Sequence, residues 1–230
     1  MRNVTETVKQ LIIINILFFI GTLLVSGPAY QYLALFFPEN PDFKAWQPIT
    51  YMFMHGGFMH ILFNMFALYS FGSALEQFWG SKKFLFFYIS CGLGSALVHT
   101  GVNYYHFQEG LNTLLSNGFS KSAILQLLNE GRIDTRWQEL LTVTEFQNFT
   151  SAYIGTAVGA SGAIYGIIVA FAFLFPNAEL GLMFIPIPIK AKYFVPGLVL
   201  VDLYLGISGK SIFGGGGIAQ FAHVGGALFG

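Results

Sequence analysis

Three stretches of an otherwise apolar chain carry side chains suited to acyl-transfer chemistry: Ser161 with Tyr165, His60 with Asn64, and His223. A serine hydroxyl is a weak nucleophile until a base within hydrogen-bond reach takes its proton, and histidine, titrating near neutrality, is the usual base. Ser161 and His223 supply that pair. The developing oxyanion then needs donors aimed at it, and His60, Asn64 and the backbone N–H of Ser161 are the candidates. His60 and Asn64 stand at i, i+4, as do Ser161 and Tyr165, so each pair shares one helix face. Gly159 and Gly162 lie on either side of the serine, and Gly226 and Gly230 follow His223. Small residues at this spacing let two helices approach closely, with Gly226 and Gly230 facing Gly162 or Gly166.

Each group taken singly has a plainer reading. A serine among glycines in an apolar helix is usually a packing residue, a lone histidine a satisfied core group, and an asparagine an interhelical bridge. Polar side chains in an apolar span are costly, however, and three separate segments carry them at matching depth. His99 is the rival base, without small residues around it, and His55 and His106 read as interfacial. Glu76 and Asp202 are the available acids. Glu76 falls near the inner end of its segment and Asp202 has no partner recognisable from spacing, so both read as structural.

The elements that hold these groups must work in lipid. Only 22 of 230 residues are charged, 11 basic and 11 acidic, whereas 54% are hydrophobic, 26 are phenylalanine and the mean hydropathy is +0.62. Soluble domains carry about 25% charged residues. The composition excludes a soluble globular enzyme, a disordered chain and a nucleic-acid binder. Six apolar stretches follow: Leu11 to Ser26, Phe58 to Trp79, Phe84 to His99, Ala157 to Phe175, Tyr193 to Ile207 and Ile218 to Gly230. The first, after Arg2 and Lys9, also reads as a cleaved signal peptide. The sixth spans only about 20 Å, and a carboxylate at bilayer depth is costly, so the native chain is expected to continue.

Basic residues mark the cytoplasmic side. Arg2/Lys9, Lys82/Lys83 and Lys190/Lys192 fall on one side of a six-helix zigzag, which puts the N-terminus inside. Pro28 to Ile49, the stretch 103–150 and Gly214 to Gly217 then lie outside. The 103–150 insertion carries three basic and five acidic residues. Ala123, Ile124, Leu127 and Leu128 form one helical stripe closed by Gly131, and Trp137, Leu140 and Leu141 another after Asp134. Two amphipathic helices on the outer interface are expected there, with a substrate-selecting role as the sharper reading. The single cysteine, Cys91, excludes an intrachain disulfide.

His55-Gly-Gly-Phe-Met-His60-Ile-Leu-Phe-Asn64, Gly159-Ala160-Ser161-Gly162 and Ala222-His223-Val224-Gly225-Gly226-Ala227-Leu228-Phe229-Gly230 resemble, in order, the H-x4-H-x3-N, G-x-S-G and A-H-x2-G-x3-G motifs of the rhomboid intramembrane serine proteases. Gly72-Ser-Ala-Leu-Glu76 is similar to the family's G-x3-E. The resemblance covers the whole chain except the insertion. It implies an all-α, six-transmembrane-helix bundle forming a single domain over 1–230. It further implies a Ser161–His223 dyad without an acid, Tyr165 stacked on His223, an oxyanion hole of His60, Asn64 and the Ser161 amide, and a mobile cap in the glycine run. The implied partners are transmembrane protein substrates and the lipid bilayer, and the implied location is a cell membrane with the N-terminus cytoplasmic. No metal, other cofactor or nucleic acid is implied. Trp46-Gln47 replaces the family's common Trp-Arg, and the insertion is longer than in compact members.

The competing reading from another class is a client-binding pseudoprotease, which retention of Ser161, His223, His60 and Asn64 argues against. A transporter would show paired charges or a broken helix at mid-membrane. No His-Glu-x-x-His or G-x-S-x-G occurs, which disfavours zinc proteolysis and an α/β-hydrolase.

Overall fold

The computed structural model describes residues 4–182, 185–208 and 218–230; the glycine run Gly214 to Gly217, expected as a cap, lies outside them. In chain order the helices are α1 (Glu6–Leu24), α2 (Ser26–Leu33), α3 (Gln47–Thr50), α4 (Phe58–Ala67), α5 (Ser73–Trp79), α6 (Ser81–Ser116), α7 (Lys121–Asn129), α8 (Trp137–Leu140), α9 (Val143–Ile154), α10 (Ser161–Leu174), α11 (Ala191–Ile207) and α12 (Ile218–Leu228). A π-helical turn, Leu68–Gly72, joins α4 and α5 into one helix over Phe58–Trp79. Among the described residues, three helices are long and apolar enough to cross a membrane: Glu6–Leu24, Phe58–Trp79 and Ser81–Ser116. α10 is a shorter apolar helix of 14 residues.

The exterior of the molecule, unlike that of a soluble protein, is largely apolar. Leu17, Leu24, Phe86, Phe173 and Ile207 are more than 60% exposed, while Asn15, Gln47, Asn64 and Ser95 are buried. Such an apolar exterior is stable only with hydrocarbon as solvent. Inside it, orphan backbone donors need partners. Glu76 meets this need for α1, accepting from the N–H groups of Thr7 and Val8 at 3.0 Å each, and also from Ser81 Oγ at 2.6 Å. A negative group at a helix N-terminus is further favoured by the helix dipole.

The structure departs from the sequence expectations in four places. The expected third span, Phe84 to His99, lies in the N-terminal half of a 36-residue helix. Hydropathy falls past His99, but no proline follows, and the helix runs through Gly101 and Gly110 to end before Asn117-Gly118, where Gly118 takes φ +89°. The fourth segment becomes helical only at Ser161 rather than Ala157. Its approach is extended and pinned: Ala157 pairs with Leu35, and the Gly159 N–H donates to the Tyr51 carbonyl.

The third departure is a hairpin in a chain expected to be all-α, β1 (Glu179–Leu182) with β2 (Ile185–Lys190), paired from Glu179↔Lys190 to Leu182↔Ile185. β2 carries Pro186 and Pro188, which a strand tolerates at an edge, and a two-stranded ribbon is all edge.

The fourth concerns the insertion. Its apolar stripes face one another rather than an interface. Ile124, Leu128, Trp137 and Phe149 are at most 3% exposed and form a second core with Leu111 and Leu114 of α6 and Phe37. α9, absent from the sequence expectation, begins with a Thr142–Glu145 capping box.

Candidate active site

α12 packs among α6, α10 and α11, and glycines make this possible. A Cβ on Gly226 would collide with the carbonyl oxygen of Gly162, and one on Gly230 would lie 2.5 Å from Gly166 Cα. A Cβ on Gly162 would collide with Ser95 Oγ of α6. The backbones of α10 and α12 are thus in contact, which brings a side chain of one within reach of a side chain of the other.

Ser161 is the first residue of α10, so its N–H has no intrahelical acceptor. Gly159, two residues before, takes φ +133°, a conformation that L residues rarely adopt. Its Cβ position is also occupied, 2.8 Å from His60 Nε2 and 3.5 Å from Ser161 Oγ. Gly159 is therefore required twice, by its backbone conformation and by the approach of His60.

His223 of α12 lies with Nε2 2.9 Å from Ser161 Oγ. Its ring stacks on Tyr165, one turn beyond the serine, with centroids 4.4 Å apart and planes 11° from parallel. On the opposite edge of the same ring, Nδ1 is 3.1 Å from Asp202 Oδ2 of α11. Spacing had suggested no partner for Asp202 and a structural role. The signal available was the carboxylate itself, rare in an apolar helix.

α4 brings the other two groups. The Gly56 N–H donates to His60 Nδ1 at 3.3 Å, which assigns the remaining ring proton to Nε2, the atom beside Gly159. Asn64 lies one turn on and is 6% exposed. Its amide nitrogen is buried and, among the described residues, has no hydrogen-bond acceptor. An unmet buried donor is costly unless something else uses it. His55 packs edge-on against His60 with ring centroids 5.0 Å apart. Burial of the His55 imidazole holds its pKa down at about 3, so it brings no charge to the site at neutral pH. His99, the rival base, is instead within 3.1 Å of Asn103 on its own helix.

A helical molecule with an apolar exterior and a Ser–His contact held between two glycine-packed helices defines a class of multi-pass membrane protein. The rhomboid domain model matches residues 42–230. The chain belongs to the rhomboid family, whose members are mostly serine intramembrane proteases. It is 26% identical over 207 residues to presenilin-associated rhomboid-like protein A, mitochondrial, of Danio rerio, covering 88% of this chain and 41% of that protein. It is 27% identical over 188 residues to rhomboid protease AarA of Providencia stuartii, covering 80% and 53%. With rhomboid protease GlpG of Klebsiella pneumoniae it shares 33% identity over 88 residues, covering 38% and 32%. The chain thus spans about half or less of the length of these relatives. The cell membrane expected from the resemblance is not what these comparisons favour: relatives matched over much of this chain include mitochondrial rhomboid proteins as well as a bacterial one.

Proposed function

We propose that this chain is an intramembrane serine endopeptidase that hydrolyses peptide bonds in or near transmembrane segments of other membrane proteins, using Ser161 as nucleophile and His223 as general base. The observation that carries the reading is the 2.9 Å contact between Ser161 Oγ and His223 Nε2.

In the first step Ser161 Oγ attacks the scissile carbonyl carbon as His223 Nε2 takes its proton. The carbonyl oxygen becomes an oxyanion, for which the free N–H of Ser161, the Nε2–H of His60 and the amide of Asn64 are the donors. The Asn64 amide supports this role because it lacks a partner in the resting protein. Collapse of the tetrahedral species transfers the proton from His223 to the leaving amine and leaves an acyl-enzyme ester on Ser161. Water, deprotonated by the same histidine, attacks the ester carbon, and cleavage of the C–Oγ bond releases the acid as His223 returns the proton to Ser161 Oγ. Tyr165 holds the imidazole plane through stacking, worth about 0.5–1.5 kcal/mol for a good aromatic pair.

The apolar exterior around the site supports a transmembrane segment as substrate. A helical substrate hides its carbonyls, so a segment must unwind locally before Ser161 can reach it. We read the topology as six spans with the N-terminus on the cytoplasmic side, from the basic residues at Arg2/Lys9, Lys82/Lys83 and Lys190/Lys192. The test is a fluorophosphonate probe applied to the protein in lipid. A single adduct on Ser161, lost in Ser161→Ala, is expected. Labelling that persists in Ser161→Ala contradicts the assignment.

A further inference from the structure

Asp202 stands on α11, a helix whose exposed residues past its first turn, among them Leu200, Tyr204 and Ile207, are apolar. The carboxylate is 8% exposed as a residue, and its ion-pair partner among the described residues is His223. Placing a carboxylate in such a helix is costly unless a partner compensates it, and an apolar residue would pack there at lower cost. The partner is also specific. Asp202 Oδ2 meets Nδ1 at 3.1 Å while Ser161 Oγ meets Nε2 of the same ring at 2.9 Å. One imidazole therefore bridges an acid on one helix and a hydroxyl on another.

We propose that Asp202 is a positioning residue for His223, completing a Ser161–His223–Asp202 chain across α10, α12 and α11. This inference rests on the reading of Ser161 and His223 as the reacting pair. The carboxylate accepts a hydrogen bond from Nδ1–H. That fixes the neutral tautomer in which Nε2 is unprotonated and aimed at the serine hydroxyl. When Nε2 takes the Ser161 proton, the imidazolium lies against a negative charge. Asp202 takes up no proton in this step. The Nδ1 proton remains on nitrogen, and the transferred proton leaves from Nε2 to the departing amine. With the acid removed, Nδ1 has no acceptor, and the other tautomer, with the proton on Nε2, points a donor at the serine and cannot act as base.

A merely structural role would tether α11 to α12 without choosing a tautomer, and two measurements on the full chain in lipid bilayers separate the two. The first is the ring-nitrogen spectrum of protein carrying 15N-histidine, with the His223 signals identified by their loss in His223→Gln. Wild type should carry the proton of the neutral ring on Nδ1, and Asp202→Asn should move it to Nε2. The second is the rate of fluorophosphonate labelling at Ser161, expected to fall at least about tenfold in Asp202→Asn and to recover in part in Asp202→Glu. Wild type with the proton on Nε2 overturns the proposal even if Asp202→Asn fails to fold. So does an Asp202→Asn protein that labels at the wild-type rate. Failure of wild type to form any adduct at Ser161 contradicts the proposed activity instead, and the tautomer of His223 still decides the role of Asp202.

Discussion

Gly226 of α12 lies so close to the carbonyl oxygen of Gly162 in α10 that no side chain fits between them. The contact controls the distance between Ser161 and His223, which stand on those two helices. Any Cβ at Gly226 must push the helices apart, and a displacement of about 1 Å at a reacting pair costs about 10²-fold in rate. Gly226→Val should therefore slow fluorophosphonate labelling of Ser161 by about that factor. Gly21→Ala, at a position with open space around it, should leave the rate unchanged. Equal rates for Gly226→Val and wild type would show that helix contact does not set the geometry.

Asn64 offers a cleaner separation of chemistry from stability. Its amide nitrogen has no acceptor among the described residues, so Asn64→Ala breaks no hydrogen bond made by that atom in the resting protein. Its melting temperature should hold, while kcat/KM on a model transmembrane substrate falls about 10²–10³-fold, the usual effect of losing one oxyanion donor. A lower melting temperature with intact kcat/KM would make Asn64 a packing residue instead.

Glu76 should behave in the opposite way. It accepts from two backbone N–H groups at the start of α1 and from Ser81, far from the reacting pair in its contacts. Glu76→Gln weakens charge-assisted bonds worth about 1.5–3 kcal/mol each. Thermal unfolding in lipid should show a lower midpoint, with labelling of Ser161 retained at temperatures where the protein stays folded.

The insertion has its own core, and Trp137 is fully buried in it against Phe149. Trp137→Ala should destabilise that unit by about 3–5 kcal/mol. Hydrogen exchange over 121–154 should speed up accordingly while α10 and α12 keep their protection. Global loss of protection would show that the two cores fold as one.

Much of the site is legible in the sequence because polar residues stand out in an apolar chain. Ser161, His223, His60 and Asn64 are rare types in their segments, and the glycines at Gly162, Gly226 and Gly230 announce a close helix contact. What spacing does not carry is the angle between helices. Asp202 and His223 are 21 positions apart on different helices, and only the packing of α11 against α12 reveals that they meet. Hydropathy also marks where lipid ends rather than where helix ends, which is why α6 runs on to Ser116 and why Ser161 opens its helix instead of sitting a turn inside. The β1–β2 hairpin escapes the reading because Pro186 and Pro188 read as breakers, while an edge strand admits both.

Cleavage of a model transmembrane substrate reconstituted in liposomes with wild type, Ser161→Ala and His223→Ala measures peptide-bond hydrolysis directly. Cleavage by wild type that disappears in both variants, with all three proteins folded to the same degree, is the expected result. Cleavage that survives Ser161→Ala, or a folded wild type that binds the substrate and leaves it whole, would contradict serine proteolysis by this site.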